Sequence, residues 1–143
     1  MSSGAISGTG GVLQFGTGNT ILTAVNTYSG PTFVNAGTLS VNGSIASSPV
    51  SVNFGGTLSP GNSVGTLTVN GNLVFAAASL YMVELQGNAA DRTNASGTAV
   101  LAGTVGAVNL GGSLARSYTI LSAAGGRTAE PMRCPLQDSR QRW

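Results

Sequence analysis

One short phrase recurs along this chain and limits what the chain can fold into. Gly37-Thr38-Leu39-Ser40-Val41-Asn42-Gly43 returns, nearly unchanged, as Gly65-Thr66-Leu67-Thr68-Val69-Asn70-Gly71. Gly-Thr pairs begin at 16, 37, 56 and 97, with spacings of 21, 19 and 41 residues. The last spacing is about two periods, so the pattern predicts a repeat of about 20 residues with one degenerate copy. After the pair the order is apolar, any, apolar: Leu39 and Val41, Leu67 and Val69, Ala99 and Leu101. That alternation puts the apolar side chains on one face of a short strand. Further pairs at 65 and 103 open second strands within a turn of the repeat.

Other segments carry the same alternation. Val50, Val52 and Phe54 share a face, as do Leu73 with Phe75, and Tyr81 with Val83 and Leu85; Tyr118 and Ile120 form a late pair. Asn42-Gly43 and Asn70-Gly71 are turn signals, because both residue types tolerate positive φ. No window keeps a helical spacing. Strands of about three to five residues at this period predict an all-β chain, a right-handed parallel β-helix with one coil per repeat. Residues 5–126 would make about six coils rising ~4.8 Å each, roughly 30 Å in all. One coil has too little apolar surface to fold alone, whereas stacking buries its inward residues on the next. A sandwich or jelly roll is the rival fold, but it needs longer strands and has no repeat of this kind. A flexible linker would also be rich in Gly, Ser, Thr and Asn. The 41% hydrophobic residues, placed at period two, argue against it.

Charge is scarce and unevenly placed. Charged residues are 7% of the chain, against roughly 25% in ordinary soluble domains. Residues 1–126 hold Glu84, Asp91, Arg92 and Arg116, which sum to zero. Beyond Gly126 stand Arg127, Arg133, Arg140 and Arg142 against Glu130 and Asp138. The pI near 9.2 is thus a property of the tail. The body has no basic stripe interleaved with aromatics, which argues against nucleic-acid binding.

Composition divides the chain into a β-helical region, 1–126, and an unrelated or disordered tail, 127–143. From Ala129 onward there is no Gly and no alternation, and the single cysteine, Cys134, lies there without an internal partner. The register stops abruptly after Ile120-Leu121-Ser122-Ala123-Ala124-Gly125-Gly126. The expectation is that the chain leaves its original protein near Gly126, through a shifted reading frame or an artificial junction. Met1-Ser2-Ser3-Gly4-Ala5 has neither a positive start nor an apolar stretch, so no signal peptide is read there. The longest apolar run, Leu73 to Ala78, is too short to cross a bilayer.

Reactive side chains are few. With no His, neither a Ser-His-Asp triad nor a Cys-His pair can be assembled, nor the usual zinc ligand sets. Calcium loops of the Asp-x-Asp-x-Asp-Gly or Gly-Gly-x-Gly-x-Asp kind are missing from the sequence. Gly8-Thr9-Gly10-Gly11 and Gly16-Thr17-Gly18 lack the third Gly of a dinucleotide loop and read as turns. Asn42-Gly43-Ser44 and Asn94-Ala95-Ser96 match glycosylation sequons, matches that a chain rich in Asn and Ser produces by chance. Glu84 and Asp91 could in principle pair for glycoside hydrolysis, which needs roughly 5–9.5 Å between carboxylates. Glu84, however, has the outward parity of its strand, and Asp91 lies beyond Gly87-Asn88. They read as a solvated strand residue and a turn residue beside Arg92. No catalytic, metal or cofactor-binding residue is assigned, and no cofactor is expected.

These segments together resemble the passenger region of bacterial autotransporters, the type V secreted outer-membrane proteins. Asn26-Thr27-Tyr28-Ser29-Gly30-Pro31-Thr32-Phe33-Val34-Asn35-Ala36-Gly37-Thr38-Leu39 is similar to the autotransporter-associated β-strand repeat, with Pro31 where Gly is common. Leu58 to Val69 resembles the Pro-Gly-Asn-Ser-x-Gly-x-Leu-x-Val signature of the passenger's C-terminal part. Leu80 to Leu85, Asp91-Arg92 and Gly97 to Gly103 continue it in order. The resemblance covers about residues 5–126. It implies a β-helical passenger segment serving as stalk and folding nucleus, displayed at the cell surface, supporting adhesion or display, and not an enzyme. In that family Asp91-Arg92 would be a structural feature. The implied partner is the membrane barrel of an intact parent, with no nucleic acid. Signal peptide, N-terminal effector region and barrel are not read in this chain, so the expectation is a fragment that stays in the cytoplasm although its parent is extracellular. Open coil ends would favour end-to-end self-association. The rival is a β-helical carbohydrate-active enzyme using Glu84 or Asp91.

Overall fold

The computed structural model describes residues 4–45, 49–61, 65–111, 118–129 and 141–142, and among these every regular element is a strand. The first coil is β1 (Val12–Gln14), β2 (Asn19–Leu22) and β3 (Val25–Asn26), and the second is β4 (Thr32–Val34), β5 (Gly37–Val41) and β6 (Gly43–Ile45). The third is β7 (Val50–Val52), β8 (Gly56–Ser59) and β9 (Thr66–Val69). The fourth holds β10 (Leu73–Phe75), the longer β11 (Leu80–Gln86), β12 (Ala89–Ala90) and β13 (Arg92–Ala95). The fifth is β14 (Ala99–Leu101), β15 (Thr104–Gly111), the short β16 (Tyr118–Thr119) and β17 (Leu121–Ala123), after which β18 (Arg127–Ala129) opens a sixth; a final strand, β19 (Gln141–Arg142), pairs with β16.

Strands of successive coils pair in parallel and build three sheets. The first runs β1-β4-β7-β10-β14-β18, the second β2-β5-β8-β11-β15 with β12 folded antiparallel on β11, and the third β3-β6-β9-β13-β17. This is the expected β-solenoid, slightly shorter than the expected six coils, since only the first sheet reaches a sixth strand. The paired strands continue past Gly126 through β18, while residues 130–140 and 143, with most of the expected tail and Cys134, lie outside the described residues.

The core is the lumen, built from one apolar ladder per sheet. Val34, Val52, Phe75 and Leu101 stack in register in the first sheet, and Leu39, Leu58, Tyr81 and Val105 in the second. Ile45, Val69 and Ala95 stack in the third, and all of these are buried. Period-two alternation therefore read the inward face correctly for Leu39 and Val41, Leu67 and Val69, Ala99 and Leu101. It failed at Phe54, which is 78% exposed because β7 ends at Val52 and the chain turns at Asn53. Ile120 is buried as expected; the side chain of its partner Tyr118 lies outside the described residues.

The corners differ from the expected repeat. Gly37 and Gly56 stack in register, but the positions that follow them in that corner are Ser79 and Gly103, as the pairing of Thr57, Leu80 and Thr104 requires. Gly97 belongs to another corner, where the amide of Gly30 donates to Gly10, that of Gly97 to Gly71 and that of Gly125 to Gly97. A Cβ on Gly97 would lie 2.8 Å from the Gly71 carbonyl carbon, so glycine is needed there for close approach. The long spacing between the Gly-Thr pairs at 56 and 97 thus compares two different corners. Coil length also drifts: Val12 pairs with Thr32 and Thr32 with Val50, whereas Leu73 pairs with Ala99 and Ala99 with Arg127, so the later coils take up more chain than the early ones. The chain bends between strands at Asn42 and at Asn70-Gly71, as the turn reading has it, but without positive φ at Gly43 or Gly71. At Gly43 the constraint is space, since a Cβ would lie 2.5 Å from the Ala24 oxygen.

Candidate functional site

Polar groups enter the lumen at two levels, and both are structural in geometry. In the first coil each ladder ends on a polar residue: Gln14 under Val34, Thr20 under Leu39, and Asn26 under Ile45. The Gln14 amide donates to the carbonyls of Gly16 and Gly18 at 3.1 and 3.2 Å, and Thr20 donates to its Oε1. Asn26 accepts from the Ile6 amide at 2.9 Å and donates to Ala24 and Ser44 carbonyls. Tyr28, also buried, shares a hydrogen bond with Thr32. A buried polar group without a partner costs about 1–3 kcal/mol, so these pairings decide whether the layer is tolerable at all.

The second level lies in the fourth coil. Tyr81 stacks on Phe75 with ring centroids 5.1 Å apart, and its hydroxyl donates to the Ile120 carbonyl and lies 2.9 Å from the Thr93 hydroxyl. Burial pushes the phenols of Tyr28 and Tyr81 above their ordinary range, so neither is a proton donor of any use near neutrality.

Asp91 is where the structure departs most from the reading of the residues. Expected in a turn, it has 0% of its surface exposed. Its Oδ1 accepts from the Gly65 amide and its Oδ2 from the Glu84 amide, both at 2.8 Å, while its own amide donates to the Glu84 carbonyl at 2.9 Å. The carboxylate thus ties the entry of β9 to β11 across the hairpin Leu80–Asp91. Desolvation raises its pKa to about 7, opposed by the two amide donors and reinforced by the charge of Glu84. Glu84 is half-buried rather than solvated, with Oε2 shielded and without a hydrogen-bond partner. Arg92 turns outward and donates to Asn94 at 2.7 Å instead of pairing with Asp91. The two acidic residues are therefore brought together as neighbours on paired backbone, with Asp91 fully buried. An acid inside a nearly charge-free body was the available signal, but its partner Gly65 is 26 residues away in sequence. Among the described residues no three His, Cys, Asp or Glu side chains converge on a point.

Comparison with known proteins agrees with the solenoid. Residues 12–41, from β1 through β5, match the family described as Passenger-associated-transport-repeat. An extracellular serine protease of Serratia marcescens is 37% identical over 136 residues, covering 84% of this chain and 13% of that protein. The adhesin BmaC autotransporter of Brucella suis biovar 1 (strain 1330) is 44% identical over 77 residues, covering 52% of this chain and 2% of the adhesin. A second Serratia marcescens protein of the same protease name is 35% identical over 138 residues. The chain spans about an eighth or less of the length of these relatives.

Proposed function

This chain is a passenger-type region of the bacterial autotransporters, and we propose that its function is structural, as stalk and folding nucleus of a protein displayed at the cell surface. The observation that carries this reading is the continuity of three in-register lumen ladders through the stacked coils. Such a stack transmits order from coil to coil, because each coil supplies the template and the buried face for the next. The partner implied for the intact parent is a membrane barrel, and its place is outside the cell; adhesion or display is what the stalk supports. Protease and adhesin are words that belong to the relatives. This chain has no His to serve a nucleophilic Ser, and Asp91 is sealed from any substrate by burial and two amide donors.

The test places a ladder-breaking Leu58→Asp change in a parent carrying this region and measures surface-exposed, protease-resistant passenger. We expect a loss of folded display with Leu58→Asp, and none with Glu84→Gln. If Leu58→Asp leaves display intact, or if Glu84→Gln abolishes a defined hydrolytic activity in a folded protein, the structural reading fails.

A further inference from the structure

We propose that Asp91 makes the hairpin of the fourth coil a proton-responsive clip, holding the C-terminal coils more firmly in acid than in alkaline medium. The geometry carries the first half of this. A fully buried carboxylate bridges the Gly65 amide of one coil and the Glu84 amide of the next, so whatever changes its cost changes the joint between coils. Among the described residues the titratable and charged groups near it are the Glu84 carboxyl and the Tyr81 phenol, both on β11, and the Arg92 guanidinium on β13. β9 and β12 bring none. None of these neutralises it: Tyr81 donates elsewhere, Arg92 is exposed and bound to Asn94, and Glu84 adds a like charge. Among the described residues the ionised form is thus buried with two amide donors and no cation, a costly state that a proton relieves.

The sign follows from the direction of the shift. The folded carboxyl titrates at about 7 against an ordinary 3.8, so the folded state binds the proton more tightly than the unfolded chain. Its stabilising contribution is complete below the unfolded value, declines as pH rises through the window from about 4 to 7, and is gone above it. Asn in place of Asp removes the titration and keeps one carbonyl acceptor, at the loss of one of the two amide bonds, since its NH2 cannot accept. Glu84→Gln removes the neighbouring charge and leaves the clip.

The experiment uses the full chain in two measurements. Carboxyl-carbon NMR of the wild type should show Asp91 titrating two or more pH units above an ordinary aspartate, and lower in Glu84→Gln. Thermal unfolding should show the wild-type Tm falling between pH 5 and pH 8, with Asp91→Asn much flatter over the same range. A wild-type midpoint near 4, or a wild-type Tm that is flat or rises over this range, would overturn the proposal. Should Asp91→Asn not fold, the wild-type midpoint and its displacement in Glu84→Gln decide the matter.

Discussion

Two glycines that look alike in sequence make the case for reading single residues by their surroundings. Gly16 and Gly97 each begin a Gly-Thr pair, yet a Cβ on Gly16 would meet nothing within 4 Å, while one on Gly97 would meet the backbone of Gly71 and the Asn72 side chain. Backbone cannot step aside without breaking the amide bonds that join the coils. Gly97→Ala should therefore cost about 1–3 kcal/mol in urea unfolding, the range of overpacked sites. Gly16→Ala should stay within about 0.5 kcal/mol, as surface changes do. Tyr81→Phe is the second test at this scale. It keeps the stack on Phe75 but takes the Tyr81 partner from the Thr93 hydroxyl and one of two donors from the Ile120 carbonyl, which keeps the Thr93 amide, and a loss of about 1–3 kcal/mol in the same assay is expected.

Elements show which features were legible in the sequence. Inward faces were legible because alternation is local: Leu39 and Val41 declare their face within one short strand, and both are buried. Where a strand stops is decided elsewhere. Phe54 continues the alternation of Val50 and Val52, but the Asn53 side chain donates to Asn35 of the preceding coil at 2.7 Å and the chain turns outward. Burial of Asp91 was illegible for the same reason, since the Gly65 amide that helps hold it is 26 residues away and the Glu84 amide reaches it only once the hairpin has formed. The near-identity of β5 and β8, each reading Gly-Thr-Leu-Ser in register, yields an element-scale prediction. Removing residues 38–56 joins Gly37 to Thr57 and deletes one whole coil with its stacking partners intact. That variant should keep a β-type circular dichroism spectrum and a cooperative melt. Removing residues 38–47 should lose both, because inward and outward positions no longer align between neighbouring coils.

For the whole molecule the stack has ends. Edge strands present unpaired amide and carbonyl groups that another chain can satisfy. At the start, the polar layer of Gln14, Thr20 and Asn26 closes the apolar ladders from inside, and the Ile6 and Gly8 carbonyls already bond the next coil. At the other end β18 is the last strand of its sheet. We expect the purified chain to associate with rising concentration in analytical ultracentrifugation, through that end. Truncation after Ala129 should shift the Tm by no more than about 2–3 °C, about 1 kcal/mol or less for a chain of this size; a cooperative loss of folding would show that residues 130–143 close the stack.

The scarcity of charge has an environmental consequence. Ions in solution act on proteins chiefly by screening surface charges, and among the described residues up to Gly126 the charged ones are Glu84, Asp91 and Arg92, all in one coil. The rod's length is a count of coils and its cohesion comes from burial and backbone pairing, neither of which a salt gradient reaches by screening. The stack should keep the same length in fresh water as in brine.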